Sequence, residues 1–204
     1  MPIRKEDARN SRRKSSMPYL TSEMSAIVDY VSDEIGNEAA TQNIHFSPTA
    51  LTMVRHVMMK PGSIITDTRI LLGCIDRQMA DRLGLGLYCF IDNLQIKEMA
   101  EQQRTTRAEI AMDHALAMEG LKLIAVGTAP MALSRLLARS ATREMKDVVV
   151  IATPNAFTNA IQLKERIWES GIPCVVVRGK RGGNPVAGSL VNALMAQALR
   201  QKEL

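Results

Sequence analysis

The chain has few cysteines and few aromatic residues, and it lacks long apolar runs. Its three cysteines, Cys74, Cys89 and Cys174, are odd in number and far apart, which argues against a disulfide framework and against a zinc ribbon. Aromatic residues make up 3% of the chain, so aliphatic residues and 13 methionines must pack the core. No apolar run approaches the roughly 20 residues that span a bilayer, and no secretory h-region is seen. We therefore expect a soluble protein of the reducing cytoplasm, with no membrane partner.

The positive charge of the chain is concentrated near its start. The net charge is +5, and the first fourteen residues, with six basic and two acidic side chains, carry +4 of it. We interpret residues 1–16 as a flexible basic tail and residues 17–204 as one α/β domain. Contact between the tail and nucleic acid is the alternative. No aromatic residues are interleaved with the basic ones to stack on bases, which disfavours nucleic-acid binding.

Strand and helix patterns alternate through the rest of the chain. A helix is predicted from Ser22 to a stop at Gly36, and a second one begins at the pair Ser47 and Pro48 and ends before Pro61. Apolar runs without polar alternation, typical of strands buried on both faces, occupy 63–66, 87–91, 121–126, 148–152 and 174–177. Helical patterns occupy 76–83, 95–100, 106–119, 129–139 and 156–169. The repeated βα order predicts a single-domain, doubly wound, mainly parallel sheet of five or six strands with helices on both faces.

Two glycine-bearing turns are the strongest functional signal. The first consists of Gly127, Thr128, Ala129 and Pro130 and follows a predicted strand. A strand that ends at glycine and leads into a helix presents backbone N–H groups to an anion. There is no dinucleotide fingerprint and no P-loop, so the pattern does not indicate a nucleotide. The second turn adds cations and suits carboxylates as readily as phosphates. Its candidate residues are Arg178, Gly179, Arg181, Gly182, Gly183 and Asn184.

Other candidate ligands also follow strands or begin helices. Asp67 and Arg69 come directly after the first predicted strand. Arg107 lies in the first turn of a helix whose start, from Thr106 to Glu109, has the pattern of a capping box. The main role of a capping box is to stabilise the start of the helix. An arginine beside a helix N-terminus can also bind a carboxylate. Because ligand sites in open α/β sheets lie at the carboxyl ends of the strands, these residues predict an anionic ligand there.

Four segments, in the same order, resemble the precorrin-8X methylmutase family of corrin biosynthesis. They are HFSPTAL at 45–51, GTAPMAL at 127–133, PNAFTNAIQLK at 154–164 and RGKRGGNPVAGSLVNAL at 178–194. The resemblance implies an isomerase without cofactor or metal, which moves a methyl group from C11 to C12 of the macrocycle in a sigmatropic shift assisted by protonation of a ring nitrogen. It also implies a homodimer and a tetrapyrrole substrate rich in carboxylates, and it adds Ser47 to the substrate-binding set.

The chain departs from the family pattern in both glycine turns. Thr128 stands where the family has Asn, and Asn184 stands where it has Ser. Asn184 is still expected to cap the helix that follows, as the family serine would. The binding features are therefore mostly retained.

The family's proton-donating histidine has no counterpart here. An alignment of Gly36 and Phe46 without a gap puts Asp33 in its place. At the end of the first helix the helix dipole, together with Asp29 one turn earlier, would favour a protonated acid. A solvated aspartate at a helix end is the structural alternative, and His45, just before the FSP segment, is a minor second candidate for the donor.

Two functional hypotheses therefore stay open. One is a working methylmutase that uses a different proton donor, with Asp33 as the candidate, or that acts on a substrate variant needing less help from an acid. The other is a homologue that binds a tetrapyrrole or another polycarboxylate as a carrier or pathway partner without converting it. With no His/Cys cluster at ligand spacing, the sequence predicts no metal centre.

Overall fold

The computed structural model describes residues 20–36, 41–155 and 158–203, and the predicted tail of residues 1–16 lies outside that part. The described helices are α1 Ser22–Ile35, α2 Ala50–Met59, α3 Arg69–Gly73, α4 Arg77–Leu83, α5 Leu94–Gln102, α6 Arg107–Ala117, α7 Pro130–Ala138, α8 Thr158–Glu169 and α9 Asn184–Lys202, with a 3₁₀ turn at Arg143–Asp147. The strands are β1 Ile44–Phe46, β2 Ser63–Thr66, β3 Gly86–Cys89, β4 Lys122–Val126, β5 Val148–Ala152 and β6 Cys174–Val177.

The six strands form one sheet in the order β1-β6-β5-β4-β2-β3. Strands β2 to β6 run parallel to one another, and β1 is antiparallel to β6. This confirms the predicted mainly parallel sheet. The sequence analysis missed β1, because a strand of three residues with a histidine at its centre carries too little pattern to be recognised.

Alternate strand residues point into two separate cores, one on each face of the sheet. One core includes Leu123 and Val149 with residues of α1, α2, α3, α4 and α9. The other includes Ile124 and Val150 with residues of α5, α6, α7 and α8. Every residue of β4, β5 and β6 is buried, as expected for strands covered on both faces. The doubly wound architecture is thereby confirmed.

The predicted stop of α1 at Gly36 is confirmed, whereas the cap of α1 is Thr21 rather than the predicted Ser22 and the start of α2 also differs. The hydroxyl of Thr21 accepts the N–H of Met24 at 3.2 Å, and Gly36 ends α1 in the left-handed conformation with φ 65°. The predicted start of α2 at Ser47 is wrong, because the helix begins at Ala50. Ser47 instead continues the pairing of β1 with β6: its N–H donates to Cys174 O at 2.9 Å and its Oγ accepts from Cys174 N at 2.8 Å.

The chain direction creates a crevice between the carboxyl ends of β2 and β4. After β2 the chain leaves toward the first face, where Leu71 of α3 packs. After the neighbouring strand β4 it leaves toward the opposite face, where Leu133 of α7 packs. Neighbouring strands whose connections diverge in this way form the usual ligand crevice of an open α/β sheet. We call this place, bounded by residues 67–69 and 127–130, the switch-point crevice.

Candidate functional site

Asp67 organises one wall of the switch-point crevice. The residue is 1% exposed, and its carboxylate accepts the backbone N–H groups of Gly127 at 3.1 Å, Thr128 at 2.8 Å and Ala129 at 2.7 Å. A buried carboxylate needs such charge-assisted hydrogen bonds. The amides that the sequence assigned to a ligand therefore bind Asp67 in the folded chain, and Asp67 supports the crevice rather than lining it with a charge.

Asn184, the first residue of α9, joins the two sides of the crevice. Its Oδ1 accepts the Thr128 hydroxyl at 2.8 Å and the Thr68 hydroxyl at 3.4 Å. A Cβ on Gly127 would lie 2.3 Å from the same oxygen, so glycine permits this close approach. The N-cap of α9 is Gly183 rather than Asn184, because the Asn184 side chain is turned toward the two threonines. The two departures from the family pattern, Thr128 and Asn184, thus contact each other.

The 178–184 loop begins with an arginine that is already paired. Nε of Arg178 donates to Glu165 at 3.0 Å, and its Nη2 contacts the other carboxylate oxygen. The guanidinium also lies 6.0 Å from the ring centre of Trp168, within the range of a cation–π contact. Hydrogen bonding to Glu165 raises the pKa of Arg178 further. Arg178 therefore anchors the loop more than it offers a charge to a ligand.

The end of this loop presses against Thr153, which follows β5. Gly183 N donates to Thr153 O at 2.6 Å. Gly182 has φ 144°, and a Cβ there would lie 2.0 Å from Thr153 O. No residue with a side chain can occupy this position without displacing the backbone of one of the two segments. The glycines at 182 and 183 therefore place the N-terminus of α9 beside the crevice.

Three arginines of the predicted binding set are exposed. Arg69, at the start of α3, is exposed and its Nε donates to the exposed Asp92 at 3.0 Å. Arg107, at the start of α6, and Arg181, in the 178–184 loop, are both exposed. Arg69 follows the carboxyl end of β2, Arg181 follows that of β6, and Arg107 begins α6 in the connection from β3 to β4. Arginines such as these can bind several carboxylates of one ligand.

The remaining predicted binding residues have other contacts. The Thr106 hydroxyl bonds within its own capping box, accepting from Glu109 N at 3.2 Å and donating to the Glu109 carboxylate at 2.8 Å. Pro130 is the first residue of α7, and Gly179 O accepts a hydrogen bond from Lys164. Ser47 lies level with the first residue of β6, at the opposite edge of the sheet from the crevice. The structure therefore does not bring Ser47 together with the other candidates.

Asp33 lies in the last turn of α1 and is exposed. Its neighbour Glu34 accepts a hydrogen bond from the buried Ser189 Oγ of α9 at 2.5 Å. Ser189 follows Asn184 by five residues, which is about 7.5 Å along a helix axis. The end of α1 is therefore attached to α9 about 7.5 Å along the helix axis from Asn184.

His45 is the other candidate donor. It lies on β1, and its ring packs edge-on to Trp168 with 5.8 Å between ring centres. Burial, followed by the nearby Arg178 cation, lowers the pKa of His45 below its ordinary value. A neutral imidazole at pH 7 follows, so His45 is poorly suited to donate a proton.

Sequence reasoning missed several residues of this region. Thr68 could have been found, since it directly follows Asp67 at a strand end. Thr153, Lys164 and Ser189 carry no such signal, because their contacts join segments far apart in the chain.

Among the described residues, no group of His, Cys, Asp and Glu is arranged to hold a metal ion. In that same part of the chain, no helix is both long and apolar enough to cross a bilayer.

Comparisons of the sequence with known proteins find one family, and comparisons of the structure find the same fold. A family model described as precorrin-8X methylmutase matches residues 2–197. The cobalt-precorrin-8 methylmutase of Salmonella typhimurium is 34% identical over 151 residues, which is 74% of this chain and 70% of that protein. The precorrin-8X methylmutase of Pseudomonas aeruginosa is 25% identical over 189 residues, covering 91% of this chain and 90% of the relative.

Two solved structures share the fold. A precorrin-8X methylmutase related protein superposes with a TM-score of 0.83 at 24% identity, covering 92% of this chain and 98% of that chain. A precorrin-8X methylmutase from Thermus thermophilus has a TM-score of 0.81 at 18% identity, covering 96% of this chain and 97% of that chain. The similarity extends over nearly the whole α/β domain.

Proposed function

The chain belongs to the precorrin-8X methylmutase family, and on that premise we propose that the switch-point crevice is where it isomerises its corrin precursor. Membership makes the protein an isomerase of cobalamin biosynthesis that transfers a methyl group within one molecule. The observation that carries the placement is the convergence of Asp67, Thr128 and Asn184 at the switch point. The alternative, a carrier without turnover, is not favoured, because the relatives are named methylmutases.

The proposed substrate is a tetrapyrrole that carries several acetate and propionate carboxylates. The exposed arginines of the predicted binding set, Arg69, Arg107 and Arg181, have the forked donor geometry that matches carboxylates. A macrocycle can make several such contacts at once, whereas a small anion would need only one. The relatives are named for precorrin-8X and for cobalt-precorrin-8, so both the metal-free and the cobalt form are candidates.

The assay that tests this function follows the absorption spectrum while the purified protein is incubated with precorrin-8X or with cobalt-precorrin-8. Migration of the methyl group changes the conjugation of the macrocycle, so the isomerase predicts catalytic conversion to the spectrum of the product. A stoichiometric complex with an unchanged chromophore would instead indicate a carrier. The absence of any binding would overturn both hypotheses.

We further propose that Asp33 supplies the proton that assists the shift. The protonated acid would donate to a ring nitrogen, the methyl group would move from C11 to C12, and the proton would return to the carboxylate. Atoms and charge then balance without a second reactant. The attachment of Glu34, next to Asp33, to Ser189 supports this role, because it fixes the end of α1 to the helix that begins at Asn184.

Replacing Asp33 with asparagine is expected to lower kcat by about 100-fold, the usual scale of a lost general acid, while KM changes little. Steady-state kinetics on the variant measures both constants. Asp81→Asn is the matched control, since Asp81 is an exposed aspartate on another helix, α4. Unchanged turnover in Asp33→Asn would remove Asp33 from the mechanism.

A cytoplasmic homodimer completes the proposal. Two exposed apolar side chains, Ile70 at 71% and Leu94 at 74% exposure, follow β2 and β3, and we propose that a second copy of the chain covers them. Light scattering after gel filtration should give twice the chain mass of 22.5 kDa. The three cysteines, all free thiols in the structure, are consistent with a reducing compartment.

A further inference from the structure

Lys164 is a lysine with no solvent exposure, which is unusual for this residue type. Its Nζ donates to Gly179 O at 2.7 Å and to Arg181 O at 3.2 Å. A buried ammonium group is costly unless polar groups replace the lost water. Here those groups are two carbonyls of one short loop, so the side chain and the loop depend on each other.

We propose that Lys164 is a positioning residue for the isomerase: its ammonium group holds the carbonyls of Gly179 and Arg181 and so keeps the 178–184 loop in the form that serves the crevice. The proposal rests on the proposed function of that crevice. Lys164 itself contacts no part of the proposed substrate, and it acts through the loop.

The contacts of the loop explain how this effect reaches the site. The start of the loop is fixed by the pairing of Arg178 with Glu165, and its end is fixed by Gly183 N on Thr153 O. Lys164 holds the section between these two anchors. Without it, the exposed Arg181 and the N-terminus of α9, with Asn184, lose part of their support.

Burial of Lys164 makes this support sensitive to pH. Glu165 is its neighbour on α8, and the loop contributes the cations Arg178, Lys180 and Arg181. His45 lies farther off, beyond Trp168. Burial lowers the pKa of Lys164 from its ordinary 10.5 to about 8, and Glu165 opposes this effect. The ammonium group that binds the carbonyls most strongly is therefore lost as the pH rises through about 8.

Stability should change in the opposite direction. Between about pH 8 and 10.5, an unfolded lysine holds a proton that the folded Lys164 has released. Since stability rises with pH wherever the unfolded state binds more protons, this group contributes increasing stability across that window. Weaker substrate binding together with equal or greater stability at high pH distinguishes a positioning role from a merely structural one.

The first test compares KM of the wild type and Lys164→Met for cobalt-precorrin-8 at pH 7 and at pH 9.5. At pH 7 we expect about a tenfold higher KM in the variant, on the scale of a lost hydrogen bond to a charged group. At pH 9.5, where wild-type Lys164 is neutral, the two values should agree within about twofold. Lys97→Met, at an exposed lysine of α5, should behave as the wild type at both pH values. A KM ratio that does not change with pH would overturn the proposal.

The second test needs neither substrate nor a variant. Trp168 is the only tryptophan of the chain and contacts Arg178 at the start of the loop. Its fluorescence should show a transition near pH 8. This transition is distinct from the titration of His45, whose pKa lies below 6.5, and from that of Cys174, whose pKa is about 11. A flat signal from pH 7 to pH 9 would overturn the proposed positioning role of Lys164. A transition near pH 8 without any methyl migration would support that role of Lys164 in the loop and would contradict the proposed isomerase function.

Discussion

Gly182→Ala is expected to cause the largest loss of stability and activity of any single methyl addition in the site. The new Cβ would lie 2.0 Å from the backbone oxygen of Thr153, in a residue with φ 144°. Overpacking and backbone strain each cost about 1–3 kcal/mol, so we expect a loss of roughly 3 kcal/mol in the free energy of unfolding. For a chain of this size that corresponds to a midpoint about 6–12 °C lower.

Thermal unfolding and steady-state turnover of Gly182→Ala measure the two losses. We expect turnover to fall by at least about 100-fold, because a misplacement of site groups by about 1 Å lowers the rate by about that factor. Gly179→Ala is the matched control within the same loop. Gly179 has φ 75°, but a Cβ there meets nothing within 4 Å, so only the left-handed backbone cost of about 1–2 kcal/mol applies. Equal effects of the two substitutions would show that the packing against Thr153 does not shape the site.

Asp67→Asn is expected to destabilise the chain by about 3 kcal/mol and to abolish most of the activity. The carboxylate accepts three backbone N–H groups, and hydrogen bonds to a charged group contribute about 1.5–3 kcal/mol each. An asparagine would keep one acceptor oxygen and would turn an NH₂ group toward other donors. The 127–130 loop would then lose its shape, and Thr128 would move away from Asn184.

Chemical denaturation and steady-state kinetics of Asp67→Asn measure these losses. The control is Asp92→Asn, because Asp92 is an exposed aspartate paired with an exposed Arg69, and such surface pairs contribute at most about 1 kcal/mol. If Asp67→Asn unfolded at the wild-type denaturant concentration and kept its turnover, the proposed support of the crevice by Asp67 would be wrong.

The sequence predicted those parts of the fold that depend on local pattern. The strands 63–66, 148–152 and 174–177 have the predicted bounds, because short apolar runs between turns are distinctive. Ser47 is a residue that local pattern places wrongly. A serine followed by proline is typical of a helix start, but a long-range pairing with Cys174 takes the Ser47 hydroxyl instead.

The site could be predicted only as far as its place and its residue types. The turns after the strands do meet at one edge of the sheet, as the sequence indicates. The sequence cannot reveal that Asp67 binds the amides of the neighbouring turn, because the two segments are about 60 residues apart. Lys164 lies in a polar helix segment and resembles an ordinary surface lysine until the fold places the 178–184 loop over it.

The affinity of Arg107→Ala for the corrin precursor tests whether the switch-point crevice binds the substrate. Arg107 is an exposed arginine that begins α6 and belongs to the proposed binding set, whereas Arg143 is an exposed arginine in the turn that precedes β5, at the amino ends of the strands. Titration of cobalt-precorrin-8 by absorbance, at fixed ionic strength, gives the Kd of each variant. We predict a Kd about tenfold higher for Arg107→Ala and unchanged for Arg143→Ala. Equal affinities of wild type, Arg107→Ala and Arg143→Ala would contradict the account.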